Sequence, residues 1–304
     1  MLQSFELSGI LDAPMKLARI GNRGHERPIA VVSDNEAVDI SSIIGDIGPD
    51  VFDHGEAIGA AIASPGLPRI SLDDVRFGPP ITRIGKIVCV GLNYAKHARE
   101  TDAEIPAEPV LFMKAPDTVI GPNDDVSIPM GSTATDYEVE LAVVIGRTAR
   151  YLTPNDDPVD YIGGYCISND VSERDFQLLR SGQWDKGKNC ETFNPLGPLL
   201  VTGDEIDPGD LALTTLVNGE VRQSESTSDM VVGTGELVRY ISQFMALYPG
   251  DVINTGTPAG VALGFPDPKP YLRPGDVVEL SISGLGTQRQ RFMPATLGRA
   301  TGAG

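Results

Sequence analysis

Residues 137–145 read Tyr-Glu-Val-Glu-Leu-Ala-Val-Val-Ile. The apolar, β-branched run over 141–145 predicts a strand. In a strand, residues two apart share a face, so Glu138 and Glu140 aim side by side while Val139 points the other way. Two carboxylates that close repel unless a cation lies between them or one keeps its proton. The same pattern also suits an acidic strand edge facing water.

Outward from this stretch, similar Val- and Ile-rich runs recur at 87–90, 110–113, 161–167, 213–217, 252–255 and 277–282. Clusters of Gly, Pro, Asn and Asp separate them, the pattern of a β-rich domain with long loops. Helices are expected over 94–100, 172–180 and 235–246, the last with Leu237, Val238, Ile241 and Phe244 on one face. Toward the N-terminus, 16–20 and 29–32 form an expected hairpin. A strand or helix entry over 38–43 and a short helix over 56–63 follow. The breaker clusters at 64–68 and Pro79-Pro80 place a boundary between a small N-terminal domain, residues 1–75, and a larger one, residues 82–304. The fold class is mixed, a β-rich α/β chain.

Three further patterns carry possible chemistry. An expected strand over 161–168 runs into Asp170, with Arg174 and Gln177 four and seven residues on, spacing that would share one helical face. An N-cap Asp with an ion pair fits these residues equally well. Together Glu138, Glu140 and Asp170 are three hard oxygen donors, a set that prefers Mg²⁺, Mn²⁺ or Ca²⁺ to zinc. His97 and Glu100, three apart on the helix expected over 94–100, match a general base oriented by a carboxylate, and also an ordinary surface pair. Lys188, following Gly187 in an expected loop, is able to reach an anion. Residues 254–260, Asn-Thr-Gly-Thr-Pro-Ala-Gly, offer hydroxyl and backbone donors. No HExxH, CxxC pair, GxGxxG or GxSxG occurs.

The chain has 304 residues, 42 acidic against 24 basic, for a net charge of -18. Such a surface repels phosphate backbones and anionic lipid, so neither nucleic acid nor membrane is an expected partner. No apolar run approaches the roughly 20 residues of a membrane span. Residues 1–21 lack a basic patch followed by an apolar stretch. Three cysteines, Cys89, Cys166 and Cys190, form no disulfide framework, and the first two read as buried. A cytoplasmic protein is expected.

Taken in order, the motifs resemble the fumarylacetoacetate hydrolase family. The matching pieces are Gly91-Leu92-Asn93-Tyr94 with His97 and Glu100, then Tyr137 to Leu141. Asn169 to Asp175 with Gln177 follows, then Gly187-Lys188, Pro195-Leu196-Gly197-Pro198, Gly250 to Ile253, and Thr255 to Pro258. The match covers roughly residues 82 to 293. The tail Gly284 to Arg289 looks like bacterial members acting on acylpyruvates and 2,4-diketo-3-deoxy sugar acids. The chain departs from the pattern in having Asn189-Cys190-Glu191-Thr192 where relatives commonly carry Ser followed by Asp-Thr.

The resemblance implies a β-sandwich or β-roll catalytic domain, a small β-rich N-terminal domain and a homodimer. It implies Glu138, Glu140 and Asp170 as ligands of Mg²⁺ or Mn²⁺, with Ca²⁺ possible in crystals. His97 and Glu100 become the water-activating pair on a lid, and Lys188 the oxyanion contact. Arg174, Gln177 and Thr257 become substrate contacts. The implied reaction is hydrolysis of a C–C bond in a small anionic 2,4-dioxo acid, giving pyruvate and a carboxylic acid. Decarboxylation or isomerisation at the same metal, a ureidoglycolate-type lyase and a non-catalytic binding protein remain the rival readings.

Overall fold

The computed structural model describes residues 14–64 and 66–297. Two sheets carry the architecture. The larger has ten strands in the order Arg69–Ser71, Glu36–Asp39, Arg27–Ser33, Lys16–Ile20, Leu200–Val201, Ile162–Asn169, Val139–Ile145, Val252–Asn254, Ile87–Gly91, Val110–Lys114. The smaller has five: Glu220–Ser226, Ala212–Val217, Val277–Ile282, Gly286–Pro294, Val126–Ile128.

The Val139–Ile145 strand lies inside the large sheet, antiparallel to both Ile162–Asn169 and Val252–Asn254. All seven of its residues are buried. Its near-continuous apolar sequence has a direct cause, because both faces are covered. Val139, Leu141, Val143 and Ile145 enter a core shared with Leu213, Val278, Leu280 and Phe292 of the five-stranded sheet. Ala142 and Val144 enter a second core with Leu17, Ile58 and Phe112. The chain is therefore a sheet-on-sheet sandwich whose larger sheet is covered again on its far side.

The N-terminal strands extend the large sheet rather than forming a separate one. Leu17 pairs with Leu200, so hydrogen bonding runs across the expected boundary between residues 75 and 82. Residues 1–13 of the expected small domain lie outside the described residues.

Two helices differ from the sequence reading. The helix expected over 172–180 is replaced by a two-residue strand, Ser172–Glu173, and one π turn, Asp175–Leu179. Ser172 and Glu173 pair with Thr135–Asp136, and this non-local pairing overrides helical propensity. Asp170 thus shares no helical face with Arg174. The helix expected over 235–246 spans Thr234–Ile241 and buries Leu237, Val238 and Ile241. It stops because the chain then turns back to pair, Ser242 O with Tyr151 N and Leu247 with Ala149. Phe244 is left 62% exposed, off the expected face. Among the described residues no helix is long and apolar enough to cross a membrane.

Candidate metal centre and catalytic cleft

Antiparallel pairing builds the site. Val139 opposes Asn169 and Glu140 opposes Ser168, so the start of one strand meets the end of the other. Glu138 and Glu140 flank Val139, and Asp170 follows Asn169 directly. Asp170 N donates to Glu138 O at 3.0 Å, which continues the ladder one step beyond the strands. One carboxylate oxygen from each of Glu138, Glu140 and Asp170 lies within 4.8 Å of the others. All three side chains are buried, so the solvated-edge alternative does not hold.

Cations surround them. Lys188 Nζ donates to Glu138 Oε2 at 2.6 Å and to Asp170 Oδ2 at 2.9 Å. Lys114 Nζ donates to Asp170 Oδ1 at 2.5 Å. Arg174 Nη2 donates to Glu138 Oε1 at 2.7 Å, Nε to Asp136 Oδ2 at 2.9 Å and Nη1 to Gln177 Oε1 at 3.0 Å. Lys188 stands at the end of a short helix, Asp185–Lys188, not in the expected loop.

The charges polarise one another. Burial alone would raise the Glu138 carboxyl, but Lys188 and Arg174 outweigh it and hold it below its ordinary value. Burial would lower the Lys188 ammonium, and Asp170 and Glu138 reverse the sign and hold it above. Glu140 goes up: burial raises it, and Asp170 and Glu138 repel its charge. Its charged form is supported by Gly256 N, donating to Oε2 at 2.8 Å. Gly256 adopts φ +100, a conformation L side chains rarely enter, which explains glycine in that turn.

Four buried carboxylates, counting Asp136, face three buried cations. A hard divalent cation between Glu138, Glu140 and Asp170 removes their mutual repulsion, and the all-oxygen donor set suits Mg²⁺ or Mn²⁺. The residues present fit such an ion.

His97 lies on the helix Ala95–Glu100 and faces the same cleft. Its Nδ1 is 2.8 Å from Glu100 Oε1. A carboxylate oxygen that accepts this bond selects the tautomer with the proton on Nδ1 and Nε2 bare. Glu100 Oε2 in turn accepts from Gly260 N at 2.8 Å. The pair is therefore a part-buried, hydrogen-bonded dyad and not a solvated surface contact.

The cleft has a volume of about 210 Å³ and brings together Glu138, Glu140, His97, Arg174, Gln177, Lys188 and Thr257. Thr257 lines it, but its hydroxyl donates to Val139 O and accepts from Gln223. Arg174 lines it with its donors held by Asp136, Glu138 and Gln177. Arg174, held by Gln177, thus also braces the carboxylates, and Thr257 braces the Val139 backbone between Glu138 and Glu140. A larger open groove, about 780 Å³ between Pro154 and Arg239, gathers no such cluster among the described residues.

Sequence reasoning missed Lys114 and Asp136. Lys114 ends an apolar strand, Val110–Lys114, where a lysine ordinarily reaches water, yet it is 1% exposed. Asp136 orients Arg174 and accepts from Ala262 N and Leu263 N at 2.8 and 3.0 Å. Its only signal was its place next to Tyr137-Glu138.

The sequence profile of the fumarylacetoacetate (FAA) hydrolase C-terminal domain matches residues 86–293. The chain belongs to the fumarylacetoacetate hydrolase family. Within that family it is 45% identical over 278 residues to a 2,4-didehydro-3-deoxy-L-rhamnonate hydrolase from Sphingomonas sp. (strain SKA58), covering 91% of this chain and 95% of the relative. A fumarylacetoacetate hydrolase from psychrophilic Exiguobacterium antarcticum is 36% identical with a TM-score of 0.80, over 92% of this chain and all of the other. A maleylpyruvate hydrolase from Sphingobium sp. SYK-6, solved with manganese(II) and pyruvate, is 29% identical with a TM-score of 0.76. The match covers 93% of this chain and 100% of that one. The fumarylacetoacetate hydrolase fold is therefore shared along nearly the whole chain.

Proposed function

We propose that the chain hydrolyses a C–C bond in a small 2,4-dioxo acid, giving pyruvate and a carboxylic acid, with Mg²⁺ or Mn²⁺ held by Glu138, Glu140 and Asp170. The observation that carries this is His97, paired with Glu100, lining the same small cleft as Glu138 and Glu140, with Asp170 completing their carboxylate cluster. The manganese and pyruvate named with the Sphingobium relative support it, as does the sugar-acid hydrolase relative.

When bound, the divalent cation supplies a Lewis acid for the carboxylate and 2-oxo oxygens of the substrate. The rest belongs to the chain. His97 Nε2 takes a proton from water, and Glu100 holds the imidazole and steadies its charge. The resulting hydroxide adds to the C4 carbonyl. Lys188, held protonated, serves as a fixed positive charge for the oxyanion and not as a base. The C3–C4 bond then breaks, its electron pair leaves on C3 of the pyruvate fragment, and a proton completes pyruvate. Pure binding would not require the dyad.

The test is a panel of acylpyruvates and diketo-deoxy acids with Mg²⁺ and Mn²⁺. Two acids per substrate support the reading; CO₂ from oxaloacetate alone, an absorbance change without cleavage, or urea from ureidoglycolate would each replace it. The same reading carries a cytoplasmic homodimer. Three free cysteines suit a reducing compartment, and exposed Phe244 and Tyr248 give a second copy apolar surface to cover. Light scattering at the 32.3 kDa monomer mass would remove the dimer.

A further inference from the structure

The two oxygens of each clustered carboxylate are not treated alike. Asp170 Oδ1 accepts from Lys114 Nζ at 2.5 Å, Glu138 Oε1 from Arg174 Nη2 at 2.7 Å, and Glu140 Oε2 from Gly256 N at 2.8 Å. Each of these donors serves one of the three carboxylates and no other. The opposite oxygens have no donor of their own. Glu138 Oε2 and Asp170 Oδ2 share a single ammonium, Lys188 Nζ, at 2.6 and 2.9 Å. Among the described residues no donor reaches Glu140 Oε1. One oxygen of each carboxylate is thus tied back, and the other is left to a shared cation.

Lys114 is the least expected of these donors. Its side chain is fully buried at the end of the Val110–Lys114 strand, and Nζ also donates to Val171 O at 3.1 Å. The Val171 backbone is held in turn, its N donating to Asn169 O and Phe193 O. The ammonium is therefore placed by a backbone carbonyl one residue beyond the carboxylate that it turns. Lys114 is not among the described residues that line the cleft. A carboxylate binds an ion through both oxygens only when both turn to it, and withdrawing one from a buried donor leaves that donor without a partner. Ca²⁺ takes about six to eight oxygens and accepts both from one carboxylate, whereas Mg²⁺ demands a near-octahedral set of about six.

Resting on the metal reading above, we propose that Lys114, Arg174 and the Gly256 amide each keep one carboxylate oxygen off the ion, so that Glu138, Glu140 and Asp170 give it one oxygen apiece. Lys114 is then a positioning residue that turns Asp170 and disfavours Ca²⁺. Mn²⁺ is titrated into the metal-free protein, and the water on the bound ion is counted from the broadening of its paramagnetic resonance in ¹⁷O-water. Three single oxygens leave about three of six positions to water, and a count of about two or fewer overturns the proposal. Calorimetry with Mg²⁺ and Ca²⁺ should show the affinity of Ca²⁺ relative to Mg²⁺ rising about tenfold in Lys114→Met, the scale on which partners of metal ligands act. Lys114→Arg keeps a donor and should stay near the wild-type ratio. An equal change for both ions in Lys114→Met makes Lys114 a charge alone and overturns its positioning role. The water count needs no variant, so the proposal can fail even where Lys114→Met does not fold. Glu138→Gln that binds Mn²⁺ as tightly as wild type puts the ion elsewhere, and the metal reading falls with the proposal. Neither arm needs turnover: a chain that cleaves no 2,4-dioxo acid loses the hydrolase reading and keeps this one.

Discussion

The clustered carboxylates Glu138, Glu140 and Asp170 and the His97–Glu100 dyad meet at one cleft, which Glu138, Glu140 and His97 line, but they are held in different ways. Glu138, Glu140 and Asp170 stand on or beside two central strands of a ten-stranded sheet, and each is 4% exposed or less. Lys114, Lys188 and Arg174 donate to Glu138 and Asp170, and Gly256 N to Glu140. The dyad sits on a six-residue helix, too short to be stable alone. It is tied down by a few bonds: Asn93 to Val232 and Thr255, Lys96 N to Asp229, Glu100 to Gly260 N. After it comes a run over 101–109 without regular structure, with Ile105 44% exposed. Groups that must keep like charges together need a rigid frame. The proposed base, which has to let substrate pass, calls for a more mobile one.

The sharpest way to break this contrast is to remove the rigid half. Chelation, or Glu138→Gln, should cost on the order of 10³-fold in hydrolysis, and as much in any side decarboxylation of oxaloacetate, because both need the Lewis acid. Chelation should leave the far-ultraviolet circular dichroism unchanged, since two large cores remain. Unfolding on chelation would mean that the frame depends on the ion.

Removing the base should be selective. His97→Ala should lower acylpyruvate hydrolysis by about 10²–10⁴-fold and decarboxylation much less; Glu100→Gln should act the same way and more mildly. Intact hydrolysis in His97→Ala would make the dyad a structural pair and move water activation elsewhere.

Lys188→Met separates charge from shape. Breaking a buried ion pair typically costs about 3–5 kcal/mol, so the metal-free variant should melt on the order of 10 °C lower. Mn²⁺ should restore most of that while turnover stays impaired. A melting loss that Mn²⁺ leaves untouched would show that Lys188 does more for packing than for charge.

The smallest effect sharpens the comparison from the side of motion. Hydrogen exchange over 101–109 should slow when Mg²⁺ and oxalate are added, while Val139–Ile145 stays protected throughout. Equal protection of 101–109 with and without ligand would place the dyad on the rigid side.

What the sequence made legible follows the range of each interaction. The alternation in Glu138-Val139-Glu140 is local, and both its strand and its side-chain directions are as the period of two requires. The His97–Glu100 spacing is local too. Lys114 was not legible, because the groups its ammonium meets, Asp170 Oδ1 and Val171 O, lie 56 and 57 residues away. Nor was the π turn carrying Gln177, since Ser172–Glu173 becomes a strand by pairing with residues 36 and 38 positions earlier. The joining of Lys16–Ile20 to Leu200–Val201 is longer in range again. A pattern in one segment reports which face is buried, not which distant segment covers it.

The strand buried on both faces has a consequence for how the chain tolerates change. Slipping Val139–Ile145 by one residue would send Glu138 and Glu140 into the core now filled by Leu213, Leu280 and Phe292, and bring Val139 and Leu141 to the cleft. Unpaired carboxylates there would destabilise the whole sandwich, not merely the site. A single-residue insertion or deletion in this segment should therefore leave no folded protein that has only lost its metal. Misassembled copies would expose themselves to proteolysis instead of persisting as inert competitors for substrate.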